Sequence, residues 1–195
     1  MLPDFAAMLR ARLLDSRHRG ISSGIAFHLQ TDQVFHRSSS FQKECRSAVE
    51  WLTQNGMRRG SARGVAHVGV ELLLDSEISR RPSAHRSYLN ALAAGSGPKL
   101  GCHIRWHAES DGARFEELRL ALSRHGTDIV PTPLRVAARI GRALSRRPRL
   151  ALLESERAVV VAWVEHAAPR FANGAQGMLR ELEQGLSNTD SVAHP

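Results

Sequence analysis

Apolar residues recur three and four apart over most of the chain, the spacing of an amphipathic helix. Pro3 and Asp4 suit a helix start, and Phe5, Met8, Leu9 and Leu13 follow at that spacing. A loop around Arg17 to Gly20 leads to a second helix from about Ile21 to His36. The serines at 38–40 cap a third, from Phe41 to Gln54, with Cys45, Ala48, Val49 and Leu52 on its inner side. Asn55-Gly56 ends it, because both residues tolerate the left-handed conformation. A fourth helix starts at Ser61, carries Val65, Val68, Leu72 and Ile78, and stops at Arg81-Pro82, since the residue before proline avoids the α region. A fifth, from Ser83 to Ala94, fades into Gly95-Ser96-Gly97-Pro98.

Leu100 to Trp106 alternates apolar and polar residues and is the one stretch with strand periodicity. A lone strand has no partner, so an extended loop is expected there. Helices resume over Gly112 to Arg124 and Pro131 to Arg147. The last begins at Pro148, runs to about Leu186, and is expected to kink or break at Pro169. The pattern predicts an all-α, single-domain helical bundle of about seven helices over 1–186, with a disordered tail at 187–195.

Composition sharpens this picture. A length of 195 residues suits one domain, and with 42% hydrophobic but only 5% aromatic residues the core must be built from aliphatic side chains. The apolar stretches are too short and too interrupted by charge to span a bilayer, and the N-terminal segment carries Asp4, Arg10 and Arg12 where a signal peptide needs unbroken apolar sequence. A cytoplasmic protein is expected. Cys45 and Cys102 are too few and too far apart for a disulfide framework or a paired-cysteine metal site, and read as two reduced, small apolar residues.

The net charge is +8, and of 27 basic residues only Lys43 and Lys99 are lysines. Such a surface favours an acidic partner, protein or nucleic acid, although an Arg-rich codon usage accounts equally well for the composition. No nucleic-acid-binding motif accompanies the arginines, so nucleic acid is the weaker of the two readings. P-loop, dinucleotide and serine-hydrolase motifs are absent from the sequence as well.

Two helices carry the chemistry. The second places His28, Asp32 and His36 at i, i+4 and i+8, and the fourth repeats that spacing with His67, Glu71 and Asp75. Residues four apart share a helical face, roughly 6 Å from one to the next. Each helix therefore offers a ladder of imidazole and carboxylate among apolar residues: Ile25, Phe27, Val34 and Phe35 in one, Val68, Val70 and Leu72 to Leu74 in the other.

Buried carboxylates are costly unless paired or bound to a cation, and helical bundles build metal sites from facing ladders of this kind. A mixed imidazole and carboxylate set suits Mn²⁺, Fe²⁺ or Zn²⁺. His28, Asp32, His67 and Glu71 are the leading ligands, with His36 and Asp75, at the ladder ends, as outer or solvated members. The competing explanation is a set of ordinary surface pairs at i, i+4.

Arg139, Arg142, Arg146, Arg147 and Arg149 crowd a helix–proline–helix junction, as a solvated face or as a clamp for phosphate or an acidic partner. His18, His85, His103, His107, His125, His166 and His194 form no local pattern. Asp4 is a carboxylate in an apolar segment, favoured there also by the helix dipole.

Three stretches carry a family resemblance: Leu2-Pro3-Asp4-Phe5, the segment Gly24 to His36 with His28 and Asp32, and Ser145-Arg-Arg-Pro-Arg-Leu150. On these the chain resembles a distant, N-terminally shortened relative of the acyl carrier protein phosphodiesterases, helical proteins related to the HD-domain metal phosphohydrolases. Where that family's central helix has an Asp and then an Asp-His pair, this chain has His67 and Glu71-Leu72.

The resemblance implies an HD-like helical fold and a metal-dependent phosphodiesterase that releases phosphopantetheine from acyl carrier protein. In that mechanism His28, Asp32, His67 and Glu71 hold the metal, Asp4 and Asp32 serve as further ligand or base, and Arg142, Arg146, Arg147 and Arg149 bind the anion or partner. Mn²⁺ or Fe²⁺ is expected ahead of Zn²⁺, because four or five ligands saturate a tetrahedral ion. The alternative is a non-catalytic helical binding protein descended from such an enzyme.

Overall fold

The computed structural model describes residues 2–94, 103–125 and 132–192. Of the positions discussed above, Gly95 to Leu100, Cys102, Pro131 and residues 193–195 lie outside the described residues. Within them the chain is all-α: eight helices and one two-stranded sheet. The order is α1 (Leu2–Leu9), β1 (Leu13–Ser16), α2 (Arg19–Arg37), α3 (Ser39–Gln54), α4 (Arg59–Ser79), α5 (Pro82–Ala94), β2 (Ile104–Trp106), α6 (Ser110–His125), α7 (Pro133–Ser145) and α8 (Glu154–Val192). No helix among the described residues is long and apolar enough to cross a membrane. Internal contacts divide the chain into two compact units.

The first unit comprises residues 1–33 and 82–128. Its core is Phe5, Leu92, Ile104 and Phe115, with Leu13, Tyr88, Trp106 and Leu118 packed around them. Here the structure departs from the expected loop. Ile104–Trp106 does have a partner: it pairs antiparallel with Leu13–Ser16, in register Leu13 to Trp106 and Ser16 to Ile104, with an irregularity between Leu13 and Asp15. Arg105 and Asp15, opposite one another in this register, form a salt bridge. The first helix accordingly ends at Leu9, before Leu13, and Arg10 takes φ 55, in the left-handed region. Local periodicity cannot reveal a partner about ninety residues away, because each strand reads alone as a loop or a helix end.

The second unit comprises residues 34–81 and 129–195. Within it α4 packs against α3, α7 and α8. Val65, Val70, Ile140, Leu144, Val160 and Trp163 are almost wholly buried at the centre of its core. Small residues on α4 make the close approach possible. A Cβ added at Gly69 would stand 2.3 Å from the Trp163 ring, and one at Gly64 would stand 2.9 Å from a Leu144 methyl.

Helix α8 runs through Pro169 and on to Val192, past Leu186 where the sequence placed its end. Proline removes one backbone donor, but Pro169 and Glu165, the residue four before it, are both exposed, so water can serve the freed carbonyl.

Two carboxylates of α8 cap the N-termini of its neighbours. Ser38 caps α3 as expected, its Oγ accepting from the Phe41 N–H, and Glu181 adds bonds from the N–H groups of Ser39 and Ser40 and from Ser39 Oγ. Helix α4 begins at Arg59, two residues before the expected Ser61, and no side chain of its own first turn caps it. Instead Glu156 accepts the Arg58 N–H at 3.1 Å, the Arg58 guanidinium at 2.9 Å, and the Leu153 N–H at 2.8 Å. Arg58 also donates to Ser61 Oγ and to the Ala151 carbonyl, which ties the α7–α8 connection to the start of α4.

Candidate metal centre

The second unit brings together His36, His67 and Glu71. His36 stands at the C-terminal end of α2, next to the tight turn at Ser38 that starts α3. His67 and Glu71 are one turn apart on α4. Glu71 Oε1 lies 2.8 Å from His36 Nε2 and 3.2 Å from His67 Nε2. One ligand atom from each of the three residues lies within 4.8 Å of the others. The two imidazoles stack with centroids 4.8 Å apart and planes 11° from parallel. Phe41, buried at the start of α3, presents edge contacts to both rings, with centroids 4.9 and 5.4 Å away, and Phe35 packs on Phe41.

The setting is partly desolvated. Glu71 and His36 are half-buried, while His67 is open to solvent on one side. Burial pushes the Glu71 carboxyl up, but the hydrogen bonds from His67 and His36 outweigh it and hold the group below its ordinary range. It is thus a carboxylate in the structure, accepting from both Nε2 atoms through one oxygen.

The same atoms fit a divalent ion. Ligand bonds of about 2.0–2.2 Å place neighbouring donor atoms on one ion roughly 3 Å apart, which is the separation of Glu71 Oε1 from both nitrogens. Two imidazoles and one carboxylate form a set used by catalytic zinc and by non-haem iron. Binding an ion there would displace the Nε2 protons, so occupancy would weaken with acid.

The remaining candidates are placed as follows. His28 is half-buried, with Nε2 3.4 Å from Asp4 Oδ1 in the first unit. Asp32 is exposed one turn before His36 on α2, and Asp75 is exposed one turn after Glu71 on α4. Arg142, Arg146, Arg147 and Arg149 are exposed at the α7–α8 connection, and Arg139 is half-buried. The role of Phe41 as the aromatic wall beneath both imidazoles was not read from the sequence.

In comparisons with protein-family models, curated proteins and solved structures, none matches the chain.

Proposed function

We propose that the chain is a metal-dependent hydrolase of a phosphodiester, with His36, His67 and Glu71 as its metal ligands. The observation that carries this reading is the convergence of both Nε2 atoms on one Glu71 oxygen at 2.8 and 3.2 Å. A divalent ion there supplies Lewis acidity toward a phosphoryl oxygen and activates water near neutral pH. The protein's part is positional. His36 and His67 are fixed by their mutual stacking and by the Phe41 edge, and Glu71 supplies the negative charge.

With three ligands rather than four or five, a tetrahedral ion keeps one open position, so Zn²⁺ stands beside Mn²⁺ and Fe²⁺. Acyl carrier protein is the proposed partner on the strength of the sequence resemblance and the chain's basic charge.

The test is metal content and turnover together. Purified protein is expected to bind about one Mn²⁺, Fe²⁺ or Zn²⁺ per chain and to hydrolyse bis-p-nitrophenyl phosphate or holo acyl carrier protein. His36→Ala and Glu71→Ala should each lose the metal. Folded, metal-replete protein that turns over neither substrate would sink the enzyme reading.

One observation favours the alternative, a non-catalytic binding protein. The three side chains already satisfy one another by hydrogen bonds, as a polar network does without an ion. Protein that takes up no divalent ion at millimolar concentration would remove the metal reading and leave the binding protein as the leading one.

A further inference from the structure

A groove of about 870 Å³ runs along α3 and α4, and His67 forms part of its wall. Its floor is apolar, with Phe41, Val49, Met57 and Ala66 among the lining residues. Its rim is cationic: Arg46 from α3, and Arg59 and Arg63 from α4. Glu50 is the one carboxylate among the lining residues. The volume is that of a site for a ligand of drug or cofactor size.

The register of this rim sets it apart from the general basic surface. Arg59, Arg63, His67 and Glu71 follow one another at four-residue intervals on α4, so they share one stripe. Arg63 and Arg59 therefore stand roughly 6 and 12 Å along the helix from His67.

We propose that this groove is the substrate channel of the metal site and that the substrate is an elongated, amphipathic molecule with two anionic groups. One group would be held by a divalent ion on His67 and Glu71, since the carboxylate alone repels an anion. An apolar middle lies over Phe41, Val49 and Met57, and the second anionic group meets Arg63 and Arg59 one to two helical turns away. The part of this assignment that concerns His67 and Glu71 rests on the function proposed above. The binding of an apolar body and an anionic head by the groove does not.

The test uses octyl phosphate as the probe, with inorganic phosphate and octyl glucoside as its head-only and tail-only counterparts. Titration calorimetry on the full chain in EDTA removes any contribution of metal. Octyl phosphate is expected to bind at least about tenfold tighter than either counterpart, and butyl phosphate at least about tenfold weaker than octyl. Arg59→Ser with Arg63→Ser should weaken octyl phosphate at least about tenfold, and Arg46→Ser should weaken it less. The three arginines are exposed, so unchanged thermal melts are expected to accompany these losses.

In turnover, the double variant should raise KM for an alkyl phosphodiester ending in a carboxylate. It should leave kcat, and KM for bis-p-nitrophenyl phosphate, within about twofold. Octyl phosphate that binds no tighter than phosphate, or equally well in the double variant, overturns the groove. Tight, arginine-dependent octyl phosphate binding by protein that holds no metal supports the groove and removes only the hydrolase reading.

Discussion

Glu156→Gln tests the packing of the second unit most directly. The Glu156 carboxylate is 3% exposed, and it accepts from the backbone N–H groups of Arg58 and Leu153 as well as from the Arg58 guanidinium. The guanidinium is the largest cause, and with the two backbone donors it outweighs burial, lowering the carboxyl from 4.5 to about 2. Converted at about 1.36 kcal/mol per unit, that depression corresponds to about 3 kcal/mol of stability at neutral pH. Arg58 is half-exposed and its attraction is screened by water, so about 2 kcal/mol is the expected loss on substitution. The glutamine keeps one acceptor but turns an amide N–H₂ toward the guanidinium.

The sign of the pH dependence follows from the direction of the shift. A carboxyl held low in the folded state stabilises fully above its unfolded value, and that stability is lost as pH falls from about 5 toward 2. Urea or thermal unfolding followed by circular dichroism, for wild type and variant between pH 7 and pH 3, measures both effects. At pH 7 the variant should melt roughly 4–8 °C lower, and the two curves should converge as the medium becomes acid. A loss below about 0.5 kcal/mol, or a difference that does not change with pH, would refute the reasoning, because it would show that water serves Glu156 as well as Arg58 does.

Other expectations follow from the same structure. Gly69→Ala should destabilise by about 1–3 kcal/mol in urea unfolding, because the clash with the buried Trp163 ring outweighs the helix propensity gained, about 1 kcal/mol. His28→Ala should leave bound metal unchanged by elemental analysis while His36→Ala removes it; the reverse result would move the centre to the first unit. Asp4→Ala and Asp32→Ala test the acid–base roles taken from the family resemblance, and turnover unchanged in both would remove them. Charge reversal at Arg146, Arg147 and Arg149 should weaken binding to an acidic partner such as acyl carrier protein and flatten its salt dependence, which surface plasmon resonance at several ionic strengths would detect.

Where a boundary is set by residues close in sequence, it was legible. Ser38 caps α3 through its own hydroxyl, and Gly56 takes φ 88 directly after α3 ends, as an Asn-Gly pair should. Where the determinant lies far along the chain, it was not. The start of α4 depends on a carboxylate 98 residues away in Glu156, so Ser61 was the better local signal and the wrong one. In the structure Ser61 is buried and accepts from Arg58. The β1–β2 pair failed for the same reason; of the kink or break expected at Pro169, the break does not occur, since the apolar contacts of Ala167, Phe171 and Ala175 hold α8 on both sides of it.

The candidate site was half legible, and the missing half has a physical origin. Spacing placed His67 and Glu71 on one stripe of α4, and they sit there 3.2 Å apart. Spacing also placed His28, Asp32 and His36 on one stripe of α2, but a stripe does not say which rung meets another helix. By sequence His36, like Asp75, is an outer member because it ends its ladder. Its terminal position is what puts it beside Glu71: the helix stops at Arg37, Ser38 turns the chain, and Phe41 follows within one turn of α3. The residues of α2 that join the compact unit containing α4 begin only at Val34. Of the α2 ladder, only His36 therefore falls in the same compact unit as Glu71. Phe41 then follows as the group that fixes both imidazoles, because a buried aromatic edge gives two stacked rings a wall that water would not. Phe41→Ala should accordingly weaken metal binding without removing a ligand, and an unchanged metal affinity would show that the two rings hold their places through Glu71 alone.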